Sequence, residues 1–121
     1  MSHILVIDDD EALRPMLGLA LERNGHRVTL AENGAVGVRQ YIASLPDLVI
    51  TDIIMPEKEG VETILELRNQ QPGVKIIAMS GGGPRSEIYL KMCDQLGVCC
   101  TLAKPFTLET LIEAVDEALR A

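Results

Sequence analysis

Five short apolar runs, each followed by a stretch of helical spacing, limit this chain of 121 residues to a narrow set of folds. The runs cover residues 4–7, 27–31, 48–51, 74–79 and 98–103. Runs of this length between helical patterns read as strands of a parallel sheet, because parallel neighbours need a crossover and that crossover is usually a helix. Residues 48–51 are apolar throughout, as expected of a central strand buried on both faces. The more polar run 27–31 suits an edge. The expected architecture is an α/β fold of (βα)5 form, a doubly wound five-stranded parallel sheet with right-handed crossovers and helices on both faces. The length suits one domain over residues 1–121, without repeat, second domain or low-complexity tail.

The helical stretches carry their own start and stop signals. The first puts Leu13, Met16, Leu17, Ala20 and Leu21 on one face and stops at Asn24-Gly25. Pro15 is awkward there, since proline clashes with the carbonyl four residues back. Either the first turn is loose or the regular helix begins near Pro15. Asn33-Gly34 opens a second helix, weakened by Gly34 and Gly37 and ended by Leu45-Pro46-Asp47. Val61, Ile64, Leu65 and Arg68 mark a third, which Gln71-Pro72-Gly73 stops. A fourth opens near Pro84, carries Ile88, Met92 and Leu96, and ends at Gly97. Thr107 is the expected N-cap of the last, with Leu108, Leu111, Ile112, Val115 and Leu119 at helical spacing.

Charge and cysteine content narrow the function. Net charge is −7, from 11 basic and 18 acidic residues, so no basic face is expected for nucleic-acid phosphates. A solvated surface accounts for that acidity. No run of 18 apolar residues exists, so no membrane span is expected. Three aspartates by position 10 argue against a secretory signal, and the expected location is the cytoplasm. Cys93, Cys99 and Cys100 lack CxxC spacing and a clustered histidine, which reads as buried, reduced thiols. A redox role would fall on the adjacent pair Cys99-Cys100.

The polar residues that end the strand runs carry the chemistry. Asp8 and Asp9 follow the first run, Asp52 the third, Ser80 the fourth and Lys104 the fifth. In an open parallel sheet, ligands bind in the crevice outside the carboxyl ends of the strands, where these five groups would meet. Two carboxylates about 4 Å apart repel by roughly 4 kcal/mol at an effective dielectric near 20, so three need a counter-charge. An all-oxygen set suits Mg²⁺, a hard cation that shares phosphate oxygens. Lys104 can reach a bound anion, and Ser80 offers a hydroxyl donor. The set suits phosphoryl transfer, in which one carboxylate can serve as nucleophile. Asp52 stands alone at its strand end and is the nucleophile candidate, whereas Asp8-Asp9 read as a metal-binding pair. Asp10 and Glu11 are explained more simply, as acids favoured by a helix N-terminus.

These residues resemble the receiver domain of two-component response regulators. The matching pieces are Val6-Ile7-Asp8-Asp9-Asp10, Asp52-Ile53-Ile54-Met55-Pro56 with Gly60 eight residues after Asp52, then Ser80, then Lys104-Pro105-Phe106. The resemblance spans residues 3–120, and the order and spacing of four motifs make it specific. It implies a flavodoxin-like strand order 2-1-3-4-5 and an aspartyl phosphate formed on Asp52. Asp9 would ligate Mg²⁺ directly, Asp8 through water, and the Ile54 carbonyl would complete the metal shell. Lys104 would grip the phosphoryl group, Ser80 would turn inward to it, and the Lys104–Pro105 bond would be cis. The implied donor is a sensor histidine kinase or a phosphotransfer protein of a phosphorelay. The implied receiver of the signal is an effector or output domain that the sequence does not identify. Such a domain catalyses its own phosphorylation and dephosphorylation but is not a turnover enzyme.

The chain departs from that family pattern at several places. Receivers usually carry Tyr or Phe three residues before the lysine, and here the residue is Thr101. The aromatic switch is therefore missing, with Tyr89 or the adjoining loop as substitutes. Gly81-Gly82-Gly83 follows Ser80, and glycine loses much entropy on ordering, so this loop is expected to depend on phosphorylation state. Ile54 is apolar and cannot orient water, which implies slow-to-moderate dephosphorylation. Two rival readings are a haloacid-dehalogenase-type phosphatase, using the D-x-D within Asp8-Asp9-Asp10, and a pseudo-receiver acting as a constitutive docking module. The phosphatase lacks its late acidic pair here, and the docking module does not explain the full polar set.

Overall fold

Strands and helices alternate through the computed structural model, which describes residues 2–53, 60–81 and 86–121, the side chains of residues 86, 87, 89 and 90 excepted. The order is β1 (His3–Ile7), α1 (Leu13–Arg23), β2 (Arg27–Ala31), α2 (Gly34–Ser44), β3 (Leu48–Asp52), α3 (Gly60–Gln70), β4 (Ile76–Ser80), α4 (Ser86–Gln95), β5 (Cys100–Ala103) and α5 (Leu108–Arg120). All pairings are parallel and the strands lie in the order β2-β1-β3-β4-β5. The expected fold is present, with β2 at one edge as its polarity implied.

Strand pleating sorts the core into two layers. Leu5, Ile7, Val49, Ile76 and Ala78 point to one face and pack with Val38, Tyr41, Ile64, Leu67 and Cys93 of α2, α3 and α4. Ile4, Val6, Leu48, Ile50, Ile77 and Met79 point to the other and pack with Leu17, Leu21, Leu111, Val115 and Ala118 of α1 and α5. Strands β1, β3 and β4 are therefore covered on both sides, and their carboxyl ends are held in a fixed relation.

The strand boundaries differ from the apolar runs at β4 and β5, each of which starts two residues late. The Val74 amide closes a turn on the Gln71 carbonyl at 3.0 Å, and the Val98 amide bonds the Cys93 carbonyl at 3.4 Å, so both residues terminate helices rather than lengthen strands. At the other end, Asp52 and Ser80 are the last residues of β3 and β4. Helix faces are also narrower than the apolar spacing implied. Met16, Leu65, Ile88, Met92 and Leu108 are exposed, while Gly18, Thr63 and Cys93 take inward positions. Of the three cysteines only Cys93 is buried; Cys99 is exposed and Cys100 half-buried, contrary to expectation. Cys99 directly precedes the edge strand β5, where no outer strand covers it.

Local chemistry explains the helix starts. Regular helix begins at Leu13, two residues before Pro15, so Pro15 falls in the first turn, where a missing amide N–H breaks no bond within the helix. The side chains of Asn33 and Thr107 accept from the amides of Val36 and Thr110, capping α2 and α5. Gly37 is not simply a weak point of α2, because a Cβ there would lie 2.4 Å from Ile7 Cδ1. Its absence lets the helix sit close on β1.

Candidate functional site

The five polar residues singled out by the sequence sit at the carboxyl ends of β1, β3, β4 and β5. Main-chain bonds hold them there. The amide of Asp8 donates to the Ala31 carbonyl at 3.1 Å, that of Ile53 to Met79 at 2.9 Å, and that of Lys104 to Ser80 at 2.7 Å. The sheet ladder thus runs on past the strands and fixes the residues that leave it. The Lys104–Pro105 peptide is cis, as the resemblance implies.

Charge pairing is concentrated on Lys104. Its Nζ lies 2.9 Å from Asp8 Oδ2 and 2.9 Å from Asp52 Oδ2. Asp8 and Asp52 are both buried and Asp9 is exposed. Burial opposes the charge of the ammonium, but the hydrogen bonds and charges of Asp52 and Asp8 outweigh it and raise the Lys104 pKa above its ordinary value. Asp8 Oδ1 accepts from the Asp10 amide at 2.9 Å, so both of its oxygens are engaged.

Ser80 completes the arrangement. It is fully buried, and its Oγ has no hydrogen-bond partner among the described residues. A buried hydroxyl left unpaired costs about 1–3 kcal/mol, and such groups gather where a ligand supplies the missing partner. The carboxylate oxygens of Asp8, Asp9 and Asp52 lie within 4.8 Å of one another. Three hard oxygen donors at that spacing, two of them already sharing a cation, fit a divalent ion such as Mg²⁺.

One neighbour lay beyond the sequence reading, and two residues it named have roles it did not assign. Arg14 Nη1 donates to the Asp8 carbonyl at 2.8 Å and pins the turn after β1. Its only sequence signal is a cation one turn into the helix that follows the acidic pair. Asp10 acts by its side chain rather than only through the helix dipole. Its Oδ1 accepts from the amides of Ala12 and Leu13 at 2.9 and 3.0 Å, and these bonds lower its pKa. Gly60 has a steric role: a Cβ there would lie 2.2 Å from both the Asp52 carbonyl oxygen and Ile53 Cα. The start of α3 therefore rests directly on the residue that ends β3. Thr101 is half-buried on β5, beside Ala78 of β4. Ile54, Met55 and Pro56, the loop glycines Gly82 and Gly83, Pro84 and the side chain of Tyr89 lie outside the described residues.

Comparison with known proteins agrees with this geometry. The family described as response regulator receiver domain matches residues 4–116. The chain is 36% identical to the Bacillus subtilis chemotaxis protein CheY, covering 98% of this chain and 99% of that protein. It is also 36% identical to the transcriptional regulatory protein GlrR of Escherichia coli K12, over 98% of this chain but only 26% of that regulator. The chain thus spans about a quarter of the length of the first curated relatives it matches. A response regulator receiver domain protein from Clostridium thermocellum superposes with a TM-score of 0.93 at 28% identity, covering 99% of this chain and 95% of that one. With the family model covering residues 4–116 and the strand order reproduced, the chain belongs to the response regulator receiver domains of two-component signalling.

Proposed function

We propose that residues 1–121 act as one receiver domain that takes a phosphoryl group onto Asp52 from a phosphohistidine donor. The donor is a sensor histidine kinase or a phosphotransfer protein, working in the cytoplasm. The reading is carried by one observation: Asp52 and Asp8 are buried on a shared ammonium while the Ser80 hydroxyl beside them waits for a partner. Asp8, Asp9 and Asp52 would hold Mg²⁺, with the Ile54 carbonyl as a further ligand. The ion supplies positive charge against the phosphoryl oxygens.

The chain's own residues do the rest. The Asp52 carboxylate attacks phosphorus in line with the leaving nitrogen. Lys104 is held within reach of the incoming group by two carboxylates and can turn part of its charge to a phosphoryl oxygen. Ser80 Oγ can donate to another. Lys104 belongs to the segment leading into α5 and Ser80 to the one leading into α4, so occupancy of Asp52 biases the surface built from α4, β5 and α5. That surface would meet an effector or output domain whose identity lies outside this chain. The domain is a phosphoacceptor that phosphorylates and dephosphorylates itself rather than a turnover enzyme.

Incubation with acetyl phosphate and intact-mass detection tests the reading. One phosphoryl group is expected, dependent on Mg²⁺ and lost in Asp52→Asn. Labelling that survives Asp52→Asn but not Asp8→Asn would favour the phosphatase-type reading. No labelling of the wild type would leave a docking module.

A further inference from the structure

Two of the three thiols stand at the amino-terminal end of β5, the opposite end of that strand from Lys104. Cys100 is the first residue of β5 and Cys99 is the bend before it. The alternation that sends successive strand side chains to opposite faces therefore does not separate them. Both line one recess of about 280 Å³, whose other walls are Ala114, Glu117, Ala118 and Ala121. The alanines leave the space open, and the side-chain heteroatoms bordering it are two sulfurs and one carboxylate. Cys99 is exposed, while Cys100 is half-buried against the α1/α5 core layer. Cys100 Sγ reaches the Thr101 carbonyl at 3.8 Å, a weak bond that a stronger partner can replace. Burial, Cys99 and Glu117 all raise the Cys100 pKa. A bare thiolate is disfavoured there, and a cation shared by both sulfurs removes that cost in part.

We propose that Cys99 and Cys100 form a two-thiolate site for a thiophilic monovalent cation of the Cu(I) class. Two sulfur–metal bonds form, two thiol protons pass to solvent, and no oxidation state changes. Geometry favours an ion over an internal disulfide. Consecutive Cα atoms are about 3.8 Å apart, below the roughly 4.4–6.8 Å usual for a disulfide. The backbone is also held, because the Cys99 amide donates to the Ile76 carbonyl at 2.8 Å and Cys100 pairs with Ile77 in the sheet. An ion bound to both sulfurs lets them stand about 4 Å apart, since each metal–sulfur bond is about 2.3 Å long. Donor count then selects the ion. Among the described residues, only Asp8, Asp9 and Asp52 bring three ligand atoms of His, Cys, Asp or Glu within 4.8 Å of one another. The recess thus offers two sulfurs without a third ligand at hand. Zn²⁺ takes four ligands, whereas a soft monovalent cation is satisfied by thiolates alone. Cys93 lies in the opposite core layer and takes no part. Nothing in the proposal depends on Asp52 being the phosphoacceptor.

The test titrates the reduced full chain with the Cu(I) complex of bicinchoninate, free of oxygen. Loss of the chelate's colour, ultraviolet thiolate-to-copper absorption and native mass are followed together. One Cu(I) per monomeric chain is expected. Cys99→Ser changes an exposed side chain and is expected to weaken binding by about a hundredfold, and Cys100→Ser by a similar factor. Cys99→Met keeps a soft sulfur and is expected to recover part of the loss. Should Cys100→Ser fail to fold by circular dichroism, the two Cys99 variants decide alone. No transfer of copper from the chelate overturns the proposal. So does undiminished binding in Cys99→Ser, or one ion bridging two chains.

Discussion

At the residue scale, Lys104 is the keystone, because two buried carboxylates share its one charge. Removing one partner of a buried ion pair leaves the other uncompensated, at a cost of about 3–5 kcal/mol. Lys104→Met is therefore expected to destabilise the fold by about 3 kcal/mol in denaturant titrations. The same variant should bind Mg²⁺ roughly tenfold more tightly by calorimetry, since ammonium and metal compete for the same oxygens. The pH dependence has a definite sign. The folded Lys104 pKa is raised, so its contribution is fully present below the ordinary lysine value of 10.5 and disappears as pH rises through the folded value. Burial pushes Cys93 up to about 11, and it loses stability across an overlapping alkaline range, so the difference between wild type and Lys104→Met is the quantity to read. The thiols separate by exposure as well. An aromatic disulfide reagent at pH 8 is expected to modify Cys99 first and to leave Cys93 untouched until the protein unfolds.

At the element scale, two glycines set how closely helices approach the sheet, and they differ in what they touch. At Gly37 the obstacle is the end of the Ile7 side chain, which can move. Gly37→Ala should cost about 1–3 kcal/mol, and Ile7→Val, which removes the nearest atom, should recover part of it in a double-mutant cycle. At Gly60 the obstacle is the backbone of Asp52 and Ile53, which cannot yield without displacing the proposed phosphoacceptor. Gly60→Ala is therefore expected to slow phosphorylation by acetyl phosphate more than tenfold, even in the fraction that remains folded. Such a loss at a position with no functional group would identify α3 packing as part of the site. Apolar spacing in the sequence locates these helices well. It overstates their buried faces, because Met16, Leu65 and Ile88 follow the period yet lie at the edge of what the sheet can cover.

At the scale of the whole molecule, an excess of seven negative charges and a knot of three aspartates at one end lead us to expect a fold that responds to divalent cations. A ligand that binds only the folded state stabilises by mass action, about 2.7 kcal/mol at a hundred times its dissociation constant. Saturating Mg²⁺ is expected to raise the melting temperature by roughly 10 °C. Asp9→Asn should remove most of that rise. Because Asp9 is exposed, its replacement should leave the metal-free melting temperature close to that of the wild type.

The alternation of apolar runs with helical spacing was enough to determine the fold class, because strands of this kind have few ways to bury both faces. The polar residues closing those runs were legible for the same reason: a charged group at the end of a buried strand has no packing role. Which groups pair was decided only by tertiary structure. That Lys104 spans Asp8 and Asp52 depends on segments distant in sequence being brought within a few ångströms, while Arg14 holding the Asp8 carbonyl and Gly60 lying against Asp52 depend on how short connections fold back onto the strand ends. Sequence periodicity records which way a side chain faces along its own strand or helix. It carries no record of the distance to the next one, and it is that distance which sets the electrostatics of the site.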